Sequence, residues 1–462
     1  MLFPTFAFGL FFVVVFVLNW LTRPHPTVWR AVIFGSSIFF YGWWNWRFVI
    51  LLLWAIGSNW FAGNKINSCR LRGAQDGVRA WTSIAIASDL TLLGVFKYYD
   101  FFAVELSNLL GMGNAVPILE LTLPVGISFF TFQAMSYVID LRRGVIEPMK
   151  FLDFAVYLSF FPQLVAGPIV RASEMAPQIA KRPDPRRVAS AEAFHLILRG
   201  LFKKVVVSSW LASNLVDGVF ADPQGHSSLD VLFGVYGYAI QIYADFSGYT
   251  DIAIGVALLL GFRFPINFDR PYSALSLRDF WRRWHITLSS WLRDYLYIPL
   301  GGNRGQNSDI YRNLLITMLL GGLWHGSTWN FVIWGAIHGV ALIIERSLPT
   351  ERIHPVVRWA LTFHVVCFAW IFFRADSVSA ASDVLSAIIG SSGDAKVLNA
   401  GLIFLVLASI GVQFVTKSAS ARMGSWMNRR PVLIQGIAFG MGLVVIDTFG
   451  PEGIAPFIYF QF

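Results

Sequence analysis

From residue 2 to residue 21 the chain carries no charged side chain, and apolar runs of this kind recur along its length. About 20 such residues span the ~30 Å hydrocarbon layer of a bilayer. No water meets the backbone amides there, so a crossing segment must satisfy its own hydrogen bonds as a helix. That requirement outweighs local propensity and predicts an all-α polytopic membrane protein. Composition agrees. Of 462 residues, 56% are hydrophobic and 14% charged, where soluble domains carry about a quarter charged.

The net charge of +9 points to no nucleic-acid partner. Lys and Arg sit in short loops between apolar runs, as the positive-inside rule requires, and membrane lipids are the expected surroundings. Cys69 lies in a basic loop and Cys367 in an apolar run, so neither a disulfide framework nor a metal site is expected. Residues 2–21 have no Lys or Arg ahead of them and no small-residue cleavage site behind. They read as a retained helix rather than a signal peptide.

Loop charges order the spans. Arg23 and Arg30 follow the first run and put the N-terminus outside. Short spans are expected at 31–44 and 47–62, joined by an interfacial Trp43-Trp44-Asn45-Trp46 turn. Further spans are expected at 81–96 and 122–140. Residues 151–170 have basic flanks on both sides and are broken by Pro162 and Gly167-Pro168. They read as re-entrant. After a span at 195–216, residues 229–262 are too long for one straight crossing. An interruption is expected at Asp245 to Asp251, with both aspartates facing inward toward donors.

Residues 281–295 read as one amphipathic helix at the inner interface. Trp281, Trp284, His285, Leu288, Leu292 and Tyr295 fall on one face, and Arg282, Ser289 and Arg293 on another. Residues 314–346 enter and leave on the same side, turning at His325-Gly326-Ser327-Thr328. Spans at 356–373, 402–416 and 431–449, with Lys417, Arg422, Arg429 and Arg430 inside, complete about ten transmembrane helices plus re-entrant and interfacial helices. The whole chain, 1–462, reads as a single membrane domain with its catalytic core at about 120–345. No internal repeat appears, so the inverted-repeat signature of transporters is missing.

Within this pattern His325 stands out. It ends an apolar run that begins after Arg312. At ~1.5 Å per residue, roughly twelve residues rise ~18 Å, past the middle of the hydrocarbon layer. An ionisable group at such depth is a functional candidate by default. Imidazole is also the side chain whose ordinary pKa suits a base near neutral pH. His338 and His364, on otherwise apolar helices, read as core packing. Asp245 and Asp251 read as structural partners of buried donors.

Several ordered passages resemble the membrane-bound O-acyltransferase (MBOAT) family. They are Leu123-Pro124-Val125-Gly126-Ile127-Ser128-Phe129, Phe160-Phe161-Pro162-Gln163-Leu164, Asp245-Phe246-Ser247-Gly248-Tyr249, and Phe280-Trp281-Arg282-Arg283-Trp284-His285. The last continues through Trp291-Leu292-Arg293-Asp294-Tyr295 to Gly301-Gly302-Asn303-Arg304, and Trp324-His325-Gly326 and the Tyr459-Phe460-Gln461-Phe462 ending also fit. The likeness is closest to the bacterial branch that includes the alginate O-acetylation membrane protein.

The resemblance implies an O-acyltransferase. It would move an acyl group, in this branch acetyl, from a cytosolic thioester to a hydroxyl at or beyond the outer face of a bacterial inner membrane. The catalytic histidines would be His325 and His285, the latter positioning or polarising the thioester carbonyl. No bound cofactor is implied. The donor would be acetyl-coenzyme A or the phosphopantetheine thioester of an acyl carrier protein. Arg282, Arg283, Arg293 and Arg304 could hold its anionic part, or could serve lipid headgroups and topology. Asp245, Trp324, Asp294 and Tyr295 would support the site. The expected partners are an extracytoplasmic acetyltransferase protein, a carrier protein and a polysaccharide acceptor. D-alanyl or other acyl transfer to a wall polymer is the alternative within the class. A lipid or polysaccharide transporter is the alternative outside it.

Overall fold

The computed structural model describes the chain except residues 2, 112–115, 182, 350–351, 392–395, 416–429, 451–457 and 459–462. The expected inner loop with Lys417, Arg422 and Arg429, and the Tyr459 to Phe462 ending, lie outside the described residues. Among the described residues every regular element is helical and there is no strand. The chain divides into two compact units, residues 1–190 with 253–265 and residues 191–252 with 266–462.

The first unit holds α1 (Phe6–Thr22), α2 (Pro26–Gly42), α3 (Arg47–Leu71), α4 (Gln75–Leu93), α5 (Tyr99–Leu109), α6 (Ile127–Arg143), α7 (Phe151–Ser159), α8 (Phe161–Leu164) and α9 (Ala172–Ala180). A π-helical turn at Gly94–Tyr98 joins α4 to α5. The segment expected to be broken is broken. α7 stops at Phe160 (φ −55°, ψ 110°), and α8 is a single turn. Every residue from 154 to 170 is buried, the setting in which non-helical backbone is tolerated in a membrane protein.

The second unit begins with α10 (Ser190–Leu201), then π-helical turns at Phe202–Ser208 and Ala212–Val216 around α11 (Ser209–Leu211), and α12 (Asp217–Ala221). Next come α13 (Ser228–Leu259), α14 (Leu277–Arg283), α15 (Ile286–Leu292), α16 (Asn307–His325), α17 (Trp329–Ser347), α18 (Pro355–Arg374), α19 (Val378–Gly390), α20 (Ala400–Gly411) and α21 (Val432–Phe449). Residues 253–259 of α13 belong to the first unit.

Outward side chains are apolar: Phe6 is 89% exposed, Leu433 74% and Phe404 73%. So much exposed apolar surface marks contact with lipid. Among the described residues, three helical stretches are long and apolar enough to cross: Gln75–Leu109, Ser228–Leu259 and Pro355–Arg374. Phe6–Thr22, Val378–Gly390, Ala400–Phe414 and Leu433–Phe449 are apolar but shorter. Length and composition therefore carry three crossings and do not establish the expected ten.

Two local expectations are corrected. α13 runs unbroken for 32 residues through Asp245 and Asp251, because each carboxylate finds a cation and neither has to unwind the helix. Residues 281–295 do not form one helix. α14 ends at Arg283, Trp284 is extended, His285 is left-handed at φ 42°, ψ 55°, and α15 starts anew at Ile286. It passes into a π-helical turn at Arg293–Tyr297.

The turn expected at 325–328 is present, with α16 and α17 as its two arms. Two glycines bring the arms together. A methyl group at Gly322 would collide with the Phe331 carbonyl, and one at Gly335 with the Met318 carbonyl. Only residues without a side chain let helices approach this closely, the device by which lipid-embedded helices pack.

Candidate functional site

All the groups below lie in the second unit. His325 is the last residue of α16 and is 3% exposed. Three rings contact its imidazole edge-to-face: Trp324 at 5.0 Å, Trp334 of α17 at 5.0 Å and Phe373 of α18 at 5.2 Å between centroids. The tight α16–α17 turn brings Trp334 back over the histidine. Trp324, 3% exposed, also touches His285, with centroids 6.0 Å apart. One indole thus links the two histidines expected to carry the chemistry.

His285 is fully buried in the break between α14 and α15. Its position is set by Asn267. The Asn267 carbonyl accepts from Ile286 N–H at 2.9 Å. Its side-chain oxygen accepts from Thr287 N–H at 3.2 Å and from the Thr287 hydroxyl at 2.9 Å. An atom that takes an amide N–H must be the oxygen of the Asn side chain, which fixes its orientation. His285 Nδ1, 3.1 Å from that oxygen, is therefore the protonated nitrogen. The acceptor lone pair of the neutral ring is then on Nε2. Burial pushes the His285 pKa down to about 3, so this residue, outside the spanning helices, is neutral at physiological pH.

A cleft of about 410 Å³ opens beside these groups, lined by Arg278, Trp281, Arg282, Arg293, Met318, Leu342 and Arg346 among others. Of the four arginines expected at a donor site, Arg282 and Arg293 line it. Arg293 is held on Asp294 through two bonds of 2.7 and 3.1 Å, which raise its pKa further. Arg283 turns to Asp279 at 2.8 Å, its neighbour one helical turn back. Arg304 is exposed and outside the lining. Tyr295 is buried and packs on Trp291 at 5.2 Å.

Two helical stripes lead from the cleft toward His325. On α16, Leu314 and Met318 line the cleft and Gly321 and His325 follow at helical spacing. On α17, Arg346 and Leu342 line it, and His338 and Trp334 follow four residues apart. Sequence reasoning missed Arg278, Arg346, Trp334 and Asn267. The i, i+4 spacing of Trp334, His338, Leu342 and Arg346 was a usable signal for that stripe. Asn267 offered none.

The aspartates pair as expected. Asp245 takes Lys204 and accepts from Ile458 N–H at 2.9 Å. Asp251 holds Arg199 through bonds of 2.9 and 2.6 Å and Lys203 at 2.8 Å.

Residues 120–373 match the model of MBOAT, the membrane-bound O-acyltransferase family. The chain is 36% identical to the probable alginate O-acetylase of Pseudomonas putida, over 92% of this chain and 93% of that one. It is 38% identical to the peptidoglycan O-acetyltransferase of Helicobacter pylori, over 80% and 74%. It is 41% identical to the probable alginate O-acetylase of Pseudomonas aeruginosa, over 75% and 67%. A family match across more than half the sequence, with both histidines inside the matched span, settles the membership: the chain is an acyltransferase and belongs to the membrane-bound O-acyltransferase family.

Proposed function

We propose that the protein moves acetyl groups from a cytosolic thioester across the inner membrane of a bacterium for O-acetylation of an exported polysaccharide. The observation that carries this reading is the meeting of His325 and His285 at Trp324, beside a cleft edged by four arginines. Relatives named as a peptidoglycan O-acetyltransferase and a probable alginate O-acetylase support acetyl as the acyl group.

In the proposed reaction the His325 imidazole takes the proton of an acceptor hydroxyl as its oxygen attacks the thioester carbonyl. The tetrahedral adduct collapses, the carbon–sulfur bond breaks, and the thiolate leaves with that proton. The acceptor keeps the acetyl group. His285, with Nδ1–H committed to Asn267, has a lone pair and no proton on Nε2. It therefore positions a reactant by accepting an N–H or O–H, and does not polarise the carbonyl. Arg278, Arg282, Arg293 and Arg346 receive the phosphates of coenzyme A or of a carrier protein's phosphopantetheine. An extracytoplasmic partner completes the transfer to the polymer.

The test is His325→Ala, with polymer acetyl content measured in cells that keep normal amounts of the protein in their membranes. Loss of acetylation by at least a hundredfold is expected. Unchanged acetylation would sink the reading, and unchanged polymer export with acetylation lost would exclude a transporter.

A further inference from the structure

The first unit has a polar cleft of its own, about 330 Å³ in volume and lined by Gln178, Lys181, Asp184, Val188, Leu258 and Arg263 among others. At ~30 Å³ for a water molecule in bulk liquid, it has room for about ten non-hydrogen atoms. Its walls are fixed. The Gln178 side chain accepts from Arg263 N–H at 2.8 Å and donates to the Arg263 carbonyl at 3.0 Å, which clamps the segment after α13 to α9.

Behind one wall lies a cation with no counter-charge. Arg23, just past the end of α1, is 6% exposed. Its Nη2 donates at 3.3 Å to the carbonyl of Lys181, a lining residue. Its guanidinium carbon lies 3.8 Å from the ring centroid of Trp29 and 5.3 Å from that of Phe262. Nη1 is buried without a hydrogen-bond partner, and among the described residues no carboxylate pairs with Arg23. Burial, with Arg30 nearby, lowers the Arg23 pKa only to about 10, so the group is charged at neutral pH. Arg30 is itself a cation, already held by Asp153. Buried charges are as a rule paired, and the rings around Arg23 supply no negative charge. An anion in the cleft would.

The surroundings decide which anion. α1 reaches the cleft with its last turn: a methyl group at Gly261, in the lining, would meet both Pro183 and the Trp20 ring. From there Leu21, Val17, Val14 and Leu10 form an outward apolar stripe, 48–68% exposed. A tryptophan at a helix end, with basic residues beside it, marks the headgroup level of a bilayer. The cleft therefore stands at the headgroup end of a lipid-facing helix, where basic pockets between helices take anionic lipids.

We infer that this cleft binds the headgroup of an anionic phospholipid of the phosphatidylglycerol class. Its phosphate lies at Lys181 and Arg263 and its acyl chains run along α1. The phosphate gives Arg23 the counter-charge it lacks. The glycerol hydroxyls account for a carboxylate, Asp184, in an otherwise basic cleft, because hydroxyls donate to it where a bare phosphate is repelled. A zwitterionic lipid brings its own cation and leaves the imbalance in place. Nothing in this site depends on acyl transfer.

The experiment titrates the full-length protein in detergent micelles with short-chain phosphatidylglycerol or phosphatidylcholine and counts bound lipid by native mass spectrometry. Phosphatidylglycerol should bind at least tenfold more tightly. Lys181→Gln with Arg263→Gln should weaken it at least tenfold, the scale of one hydrogen bond to a charged group, and leave phosphatidylcholine unchanged. Val188→Trp fills the cleft and keeps every charge. It should weaken phosphatidylglycerol to a similar extent, and it carries the test if the double variant fails to reach the membrane. Equal affinity for the two lipids, or parent-like affinity for phosphatidylglycerol in either variant, overturns the inference. So does full displacement of the lipid by inorganic phosphate, which would make the cleft a site for a free anion.

Discussion

Lys204 and Asp245 form an ion pair in which the two side chains are 2% and 3% exposed. Lys204 sits in the π-helical turn at Phe202–Ser208 and Asp245 midway along α13, so the pair fastens these elements together away from solvent. Removing one member leaves the other charged and buried. Lys204→Met should destabilise by about 3–5 kcal/mol. The double substitution Lys204→Met with Asp245→Leu removes both charges and should recover much of that loss. Denaturation in detergent micelles measures both. A Lys204→Met protein as stable as the parent would contradict the pairing.

Asn267 determines which nitrogen of His285 carries the proton. Asn267→Ala deletes the acceptor that His285 Nδ1 and Thr287 share, a loss of about 1–3 kcal/mol. The ring is then free to change tautomer, and transfer should fall ~10–100-fold, the usual range for an outer partner that orients a ligand histidine. Steady-state kinetics on membranes with matched protein content give the comparison. Equal loss of stability with unchanged kcat would make Asn267 structural only.

His285 also predicts an acid response. Its folded pKa lies near 3, while in the unfolded chain imidazole titrates near ~6.5. Below ~6.5 the unfolded chain binds the extra proton. Stability from this site is thus complete above ~6.5 and declines as pH falls from ~6.5 toward 3. Between pH 7 and pH 5 the decline should be ~2 kcal/mol at ~1.4 kcal/mol per pH unit. His285→Asn, whose side chain tolerates the left-handed backbone, should flatten that slope. Melting curves of the two proteins at the two pH values would show it, and parallel slopes would refute it.

Gly335 predicts a packing penalty. Any side chain there meets the Met318 carbonyl, and backbone does not yield as a flexible side chain does. Gly335→Val should destabilise by about 1–3 kcal/mol, as overpacking does, and should lower activity by displacing Trp334 from His325. By contrast Gly411, with open space around it, should accept alanine with little change in melting temperature.

What the sequence revealed follows from how far each determinant reaches. His325 stood out because a short apolar run and a glycine turn are local facts. The inward aspartates were legible because charge in an apolar run must find a partner. The break at His285 was not, since the residue that holds it is Asn267, 18 residues away. Helical spacing across 281–295 gave the buried face correctly, with Trp284, His285, Leu288, Leu292 and Tyr295 inside, but not the interruption within it. The arginines divide the same way. Arg283 is absorbed by Asp279 within its own helix, while Arg278 and Arg346 reach the cleft only through the packing of α14 on α17. His338 read as packing, and it is buried against Phe280, Trp281 and Trp334.

The glycine contacts between α16 and α17 also fix what can move. Where backbones touch, there is no cushion of side chains to slip or rotate, and a shift of one residue would drive a methyl or larger group into a carbonyl. The hairpin that carries His325, Trp334, His338 and Arg346 therefore behaves as a single rod. Under the proposed function, passage of substrate and release of product fall to the elements around it, while the spacing of His325 and Trp334 stays set by the glycine contacts.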